Sequence, residues 1–316
     1  MKFLRQLFML SAAIGLLGAG SGAALAAEPA KPKEAPKDIV LKGDAKCTTC
    51  HDEADAPEIL RIGKTRHGTT ADKRTPTCTS CHGESEKHTN HKGSDKPPKP
   101  EITFGKNSKN EASARGEACL TCHQGGKRIH WQGGVHANQD VTCTSCHKIH
   151  TAHDKVRSKD AQAEVCFTCH KEQRTQISRP SHHPIPEGKM NCTSCHDVHG
   201  DNPKMMAKFS VNDTCYTCHM EKRGPFVRTH QPVQEDCSIC HNPHGSTITP
   251  MLKARAPFSC QECHEPTSHR GNVASMQTTT ASTSTNLIAR GCLNCHTQIH
   301  GTNNPRSDTS ERTFRK

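Results

Sequence analysis

The chain has 316 residues, a formal charge of +11, 20 cysteines, 24 histidines and ten aromatic residues. Leu, Ile, Val and Phe together number 43, about 14 % of the chain, below the roughly 20 % at which a sequence builds an apolar core of its own. That excludes an ordinary globular enzyme: either the chain is disordered or something other than side chains fills its interior.

The N-terminus sets the compartment. Lys2 and Arg5 precede an apolar run from Leu7 to about Leu17, and Ala24-Leu25-Ala26 fits the small-residue cleavage rule. Residues 1–26 therefore read as a signal peptide cut after Ala26, with Ala27 as the alternative. An uncleaved anchor is the rival reading, but the run is short for a span, and no later segment approaches the roughly 20 apolar residues a helix needs to cross a bilayer. The mature chain is expected to be exported and soluble by itself. Its charge falls by two, to +9, once Lys2 and Arg5 are removed.

All 20 cysteines then fall into ten C-x-x-C pairs, each followed at once by His. The first five are Cys47-Cys50-His51, Cys78-Cys81-His82, Cys119-Cys122-His123, Cys143-Cys146-His147 and Cys166-Cys169-His170. The second five are Cys192-Cys195-His196, Cys215-Cys218-His219, Cys237-Cys240-His241, Cys260-Cys263-His264 and Cys292-Cys295-His296. This is the attachment signature of c-type haem: two thiols add to the porphyrin vinyl groups and the adjacent His reaches the iron as proximal ligand. A disulfide framework would not need His after every second Cys, zinc ribbons do not require it, and thioredoxin-like sites do not come ten to a chain. Ten covalently bound c-type haems are expected, and they are the missing core. Each adds two propionates against one net positive ferric centre, which nearly cancels the basic excess. With no interleaved aromatics to stack bases, a nucleic-acid partner is not expected.

Taken in twos, the motifs form a repeat beginning at Cys47, Cys119, Cys166, Cys215 and Cys260. Its pattern is C-x-x-C-H, a gap, His, a gap, C-x-x-C-H, then a nearby His. The recurrent extra histidines are the candidate distal iron ligands: His67, His91, His136, His150, His183, His199, His230, His244, His269 and His300. His88 competes evenly with His91, and His182 with His183. His130 and His153 are left over. Ten proximal and ten distal His would make every iron six-coordinate, leaving no open haem site and hence no enzyme. Which distal His serves which haem is left open, since a ligand can cross to a neighbouring repeat. Each repeat should contact mainly its neighbours, as in a solenoid.

Secondary structure should be sparse: few short helices around the motifs, mostly irregular loops wrapped around a linear chain of ten haems, and little or no sheet. Lys96-Pro97-Pro98-Lys99-Pro100 and His183-Pro184-Ile185-Pro186 break longer elements. Gly83 to Gly116 reads as a long loop, Ala274 to Asn286 as a Thr/Ser-rich insertion, and the tail after Gly301 as frayed.

Ten such motifs behind an export signal, with His-Pro-Ile-Pro-Glu-Gly-Lys-Met-Asn leading into Cys192-Thr-Ser-Cys-His-Asp-Val-His-Gly, resemble the periplasmic decahaem cytochromes of the MtrA, MtoA and PioA family, with the related DmsE. The resemblance covers essentially the whole mature chain. It implies a staggered haem wire made of two pentahaem halves, 27–190 (haems 1–5) and 191–316 (haems 6–10 and a polar tail). It also implies a periplasmic protein associated with the outer membrane through a sheathing β-barrel partner. Electrons would pass between periplasmic or inner-membrane cytochromes and the cell exterior, where extracellular iron and an extracellular multihaem cytochrome are the implied partners. The long N-terminal extension usual in the phototrophic type is absent, which favours the MtrA or MtoA type and leaves open whether Fe(III) is reduced or Fe(II) oxidised.

Overall fold

The computed structural model describes residues 44–69, 74–264, 292–294 and 296–304. The signal peptide, His269, Cys295, the 274–286 insertion and the tail beyond 304 lie outside the described residues.

Within them the helices are short, the longest being Ala112–Leu120 and Lys171–Ile177. No strand is formed; β pairing is limited to isolated bridges. No helix among these residues is long and apolar enough to cross a membrane. Buried apolar side chains are confined to Ala56, Phe167, Ile177 and Met206, fewer than the buried polar ones. The scarcity of Leu, Ile, Val and Phe has its structural counterpart here: these side chains do not form a core.

The two motifs of each repeat fold differently, for reasons written in the residues between the cysteines. In the second motif the first Cys opens a helical turn: Cys78–His82, Cys143–Cys146, Cys192–Ser194 and Cys237–Ile239. In three of these the sequence is C-T-S-C-H, and the Ser reaches back to accept the N–H ahead of the motif. Thr77 N donates to Ser80 Oγ at 3.0 Å, Thr142 N to Ser145 Oγ at 3.2 Å and Asn191 N to Ser194 Oγ at 3.2 Å. In the first motif the first Cys instead lies at or near the end of a helix: Ala45–Thr48, Ala112–Leu120, Gln162–Cys166, Val211–Tyr216 and Phe258–Gln261. Four of these read C-x-T-C-H, and the Thr hydroxyl donates back to a carbonyl, as Thr168 does to Val165 at 2.8 Å and Thr217 to Thr214 at 2.7 Å.

The segment from Gly83 to Gly116 differs from the expected long loop. It holds a helix at Glu86–Thr89 and the first half of Ala112–Leu120. Its polarity suggested a loop, but the Ala-rich run from Ala112 favours helix. Ser85 and Asn110 tie the intervening chain down, accepting the N–H groups of Glu101 and Thr103 at 3.1 and 3.0 Å.

Neighbouring repeats are clasped by paired backbone. Ser181 and Ser246 exchange two hydrogen bonds, and so do Arg228 and Thr302. Each bridge lies two residues from an extra histidine on both sides: His183 with His244, and His230 with His300. The glycine after the second of these is required. Gly245 has φ +132°, and a Cβ there would lie 2.2 Å from the Gln176 carbonyl oxygen; Gly301 has φ +135°, and its Cβ would strike the Phe226 ring.

Candidate haem sites

Nine motif histidines each face one of the extra histidines across a gap of near-constant width. The pairs are His51–His88, His82–His150, His123–His67, His147–His199, His170–His136, His196–His244, His219–His183, His241–His300 and His264–His230. Ring centroids are between 5.8 Å, for His67–His123, and 6.3 Å, for His82–His150 and His183–His219. The near-constant spacing is right for one metal between the rings. Two iron–nitrogen bonds of about 2 Å and about 1.1 Å from each nitrogen to its ring centre give roughly 6 Å.

The pairing has a rule. The His between two motifs of one repeat faces the first motif of the next: His67 with His123, His136 with His170, His183 with His219, His230 with His264. The His trailing a repeat faces the second motif of the preceding one: His150 with His82, His199 with His147, His244 with His196, His300 with His241. Adjacent repeats thus exchange histidines in both directions. The exchange is held by hydrogen bonds at the other ring nitrogen. His136 Nδ1 meets the carbonyl of Val198 at 3.3 Å, and His183 Nδ1 that of Pro243 at 2.9 Å, each the residue before the trailing His. The backbone of the corresponding residue, Ile299, also acts on the His230 ring. With Nδ1–H donating to a carbonyl, Nε2 carries the free lone pair. Burial is the main cause that holds His82, His123, His199, His230, His244 and His300 below the ordinary histidine value, which favours the neutral ring that binds iron.

The trailing His is turned inward by a local device. In C-H-D-V-H-G and C-H-N-P-H-G the Asp or Asn after the proximal His accepts the trailing residue's N–H: His199 to Asp197 at 3.3 Å and His244 to Asn242 at 3.2 Å. Lys148 occupies that position in the second repeat, and its own N–H is taken by Asp154 at 3.2 Å.

The cysteines place the motifs next to one another in chain order. Within repeats the first cysteines meet. Cys119 shares a hydrogen bond with Cys143, Cys166 with Cys192 and Cys215 with Cys237. The sharing holds the first thiol of each pair up and draws the second down, Cys143 to about 6 and Cys192 to about 7. Cys47 and Cys78, and Cys260 and Cys292, are likewise paired. Between repeats the second cysteines are close: Cys81 to Cys122, Cys146 to Cys169, Cys195 to Cys218 and Cys240 to Cys263.

Comparison with known proteins agrees with this arrangement. A family described as a doubled CXXCH motif matches residues 182–224 and 230–269, and one described as cytochrome c-type protein NrfB-like matches 78–163. The multiheme cytochrome MtrA of Shewanella baltica (strain OS185) is 40 % identical over 272 residues, 84 % of this chain and 80 % of that protein. The chain belongs to the MtrA family of multihaem c-type cytochromes. It is an electron-transfer protein built on covalently bound c-type haems, and its sparse short helices without sheet, among the described residues, are the architecture of that class. The doubled-motif matches pair the motifs at Cys192 and Cys215, then Cys237 and Cys260, one motif out of phase with the pairs whose first cysteines touch. A repeat exchanging ligands with both neighbours can be divided at either place.

Two expectations about this MtrA-family chain meet the geometry differently. His91, expected as a distal ligand, is corrected: His88 lies opposite His51 at 5.9 Å with rings within 9° of parallel. His91 instead turns its Nε2 to Asp95 Oδ1 at 3.1 Å. The reason is the helix Glu86–Thr89, which carries His88 and leaves His91 beyond its end, while the Pro98 carbonyl fixes His88 Nδ1 at 2.6 Å. Between the adjacent pair, His183 faces His219, and His182 is held by the Arg179 carbonyl and by Glu187 at 3.2 Å. His130 lies beside Asp201 at 3.5 Å and His153 is exposed.

The sequence reading missed a set of buried polar side chains that join the two motifs of a repeat. Asp44, Gln162 and Asn212 stand three or four residues ahead of a first motif, and each accepts a backbone N–H at the start of the second. These are Cys78 N to Asp44 Oδ1 at 2.7 Å, Thr193 N to Gln162 Oε1 at 3.1 Å and Cys237 N to Asn212 Oδ1 at 2.7 Å. A polar residue at that offset in D-A-K-C, Q-A-E-V-C and N-D-T-C was the available signal. Asn212 also donates to the carbonyls of Val233 and Gln234 at 2.9 and 3.0 Å. Asn212→Ala leaves all three groups without this partner in a buried site, a cost of about 2–4 kcal/mol. Guanidinium unfolding followed by haem absorbance should show a lower midpoint; an unchanged midpoint would remove the bracing role.

Proposed function

We propose that the chain carries ten haems, each attached by its C-x-x-C-H cysteines and held between two histidines. It would conduct electrons across the outer membrane inside a β-barrel partner, between periplasmic or inner-membrane cytochromes and extracellular iron. When bound, the haems supply one-electron Fe(III)/Fe(II) chemistry. The nine histidine pairs are the ligand sets of this proposal, with His51, His82, His123, His147, His170, His196, His219, His241 and His264 proximal. His296 is the tenth proximal ligand, and His269 is assigned to it because the exchange rule uses every other between-motif His and leaves this one over. His88 serves His51 for the complementary reason: no repeat precedes the first.

The observation that carries this reading is the reciprocal exchange. Every described extra histidine that follows the rule faces a motif histidine, so the residues assign two protein ligands per iron and no coordination position for a substrate. An enzymatic role is therefore not proposed. The nearness of the cysteines of successive motifs supports an unbroken sequence of cofactor sites from Cys47 to Cys292. Two pentahaem halves, 27–190 and 191–316, are part of the proposal; the pairs His147–His199 and His183–His219 cross that boundary and would bond the halves together. A polar, irregular backbone leaves amide groups unsatisfied in lipid, and a closed barrel removes the difficulty by presenting lipid with its own outer face.

The test has two parts. A pyridine haemochrome assay should give ten haems per chain. Liposomes holding an internal reductant should then reduce external ferric citrate only when the cytochrome and a barrel that co-purifies with it are both present. A cytochrome that fractionates without membranes and without a barrel would replace the conduit by a free periplasmic carrier.

A further inference from the structure

The His147 site differs from its neighbours in one respect that bears on energy. The paired histidines His82, His88, His136, His150, His183 and His241 turn Nδ1 to a backbone carbonyl. His147 turns Nδ1 to a carboxylate, Asp154 Oδ2, at 2.6 Å. The Asp154 side chain is 15 % exposed, and its other oxygen accepts the Lys148 N–H. Asp154 thereby reaches back from seven residues beyond the motif His to hold both the imidazole and the N–H of the residue that follows it.

We propose that Asp154 makes the His147–His199 site the lowest in reduction potential among the haem sites whose ligands the structure describes. Two effects act in the same direction. A carboxylate accepting Nδ1–H pulls the ring toward imidazolate, a stronger donor that favours Fe(III) over Fe(II). Its negative charge, largely out of water, stabilises the more positive ferric state as well. Glu221 approaches His219 only to 3.6 Å and both are well exposed, so its influence is screened. Two cations act against Asp154 at this site, Lys148 on the motif Cys146 and Arg128 on His199, but both are exposed and so screened by water. Asp154 is a positioning residue in this sense: it touches no substrate and acts through its histidine.

The consequence is a place in the electron path where occupancy is lowest. At potentials where neighbouring sites are partly filled, the His147–His199 site stays ferric. Passage through the fourth position is then the uphill step in both directions.

The inference rests on the ligand pairing proposed above, and the experiment separates the two. In full-length holoprotein, His199→Ala should give a high-spin ferric signal that labels the His147 site alone. Redox titration of that signal is then compared with and without Asp154→Asn. The midpoint should rise on Asp154→Asn and fall back toward the starting value with Asp154→Glu, which restores the carboxylate. The same order should appear without the label: in Asp154→Asn the last portion of the low-spin ferric signal to be reduced disappears at a higher potential than in the unaltered protein. Absence of the high-spin label overturns the pairing. Presence of the label with a midpoint that Asp154→Asn does not move, at unchanged haem content, overturns the role of Asp154.

Discussion

His199→Ala is expected to convert one iron from low-spin to high-spin without loss of covalent haem. The thioether cysteines of that site, Cys143 and Cys146, and its proximal His147 are untouched, while the ring opposite at 6.1 Å is removed. On the proposed pairing the freed position is open to water or exogenous ligands. Electron transit should slow, because the altered site lies inside the sequence of motifs. A companion pair decides between the two readings of the first repeat. His88→Ala should open the iron at His51 in the same way, whereas His91→Ala should leave the spectrum as it was. Electron paramagnetic resonance and carbon monoxide binding read both results. A high-spin signal in His91→Ala, or none in His88→Ala, would reverse the assignment at that haem.

The second large effect concerns folding. Chain produced without haem attachment is expected to be unfolded, with no cooperative thermal transition and a far-ultraviolet spectrum of irregular backbone. Ordering a chain costs roughly 1–2 kcal/mol per residue in backbone entropy. Against this the described residues bury Ala56, Phe167, Ile177 and Met206 and little other apolar surface. Helices of four to nine residues do not hold by themselves in water. The cofactors must supply the apolar volume and the cross-links between repeats, as structural metals do for small metal-dependent domains. Circular dichroism and amide exchange on apoprotein test this. A cooperative transition in the absence of haem would show that the polypeptide has a core of its own.

Much of this protein was legible in one dimension. The attachment cysteines and proximal histidines are local: C-x-x-C-H carries its chemistry within five residues, and ten copies with no cysteine left over admit one reading. The alternation of first and second motifs is also local, written in C-x-T-C-H against C-T-S-C-H. The recurrent offsets from the motifs pointed to most of the second histidines. The sequence left alternatives open where the deciding contact is distant. His88 and His91 have equal claims by spacing, and a short helix with the Pro98 carbonyl separates them. His182 and His183 are adjacent, and the backbone bridge between Ser181 and Ser246 turns one inward. The exchange of histidines between repeats has no one-dimensional signature at all, because His147 and His199, 52 positions apart, are brought together by the intervening chain closing on itself. Asp154 belongs to the same class: in sequence it is one carboxylate among 31 acidic residues. Sequence by itself determined which atoms bind the cofactors covalently, since those bonds form within a single turn of backbone. Tertiary structure alone decided which histidines face one another and which imidazole acquires a charged neighbour, because both depend on distances that only the folded chain brings within a few ångströms.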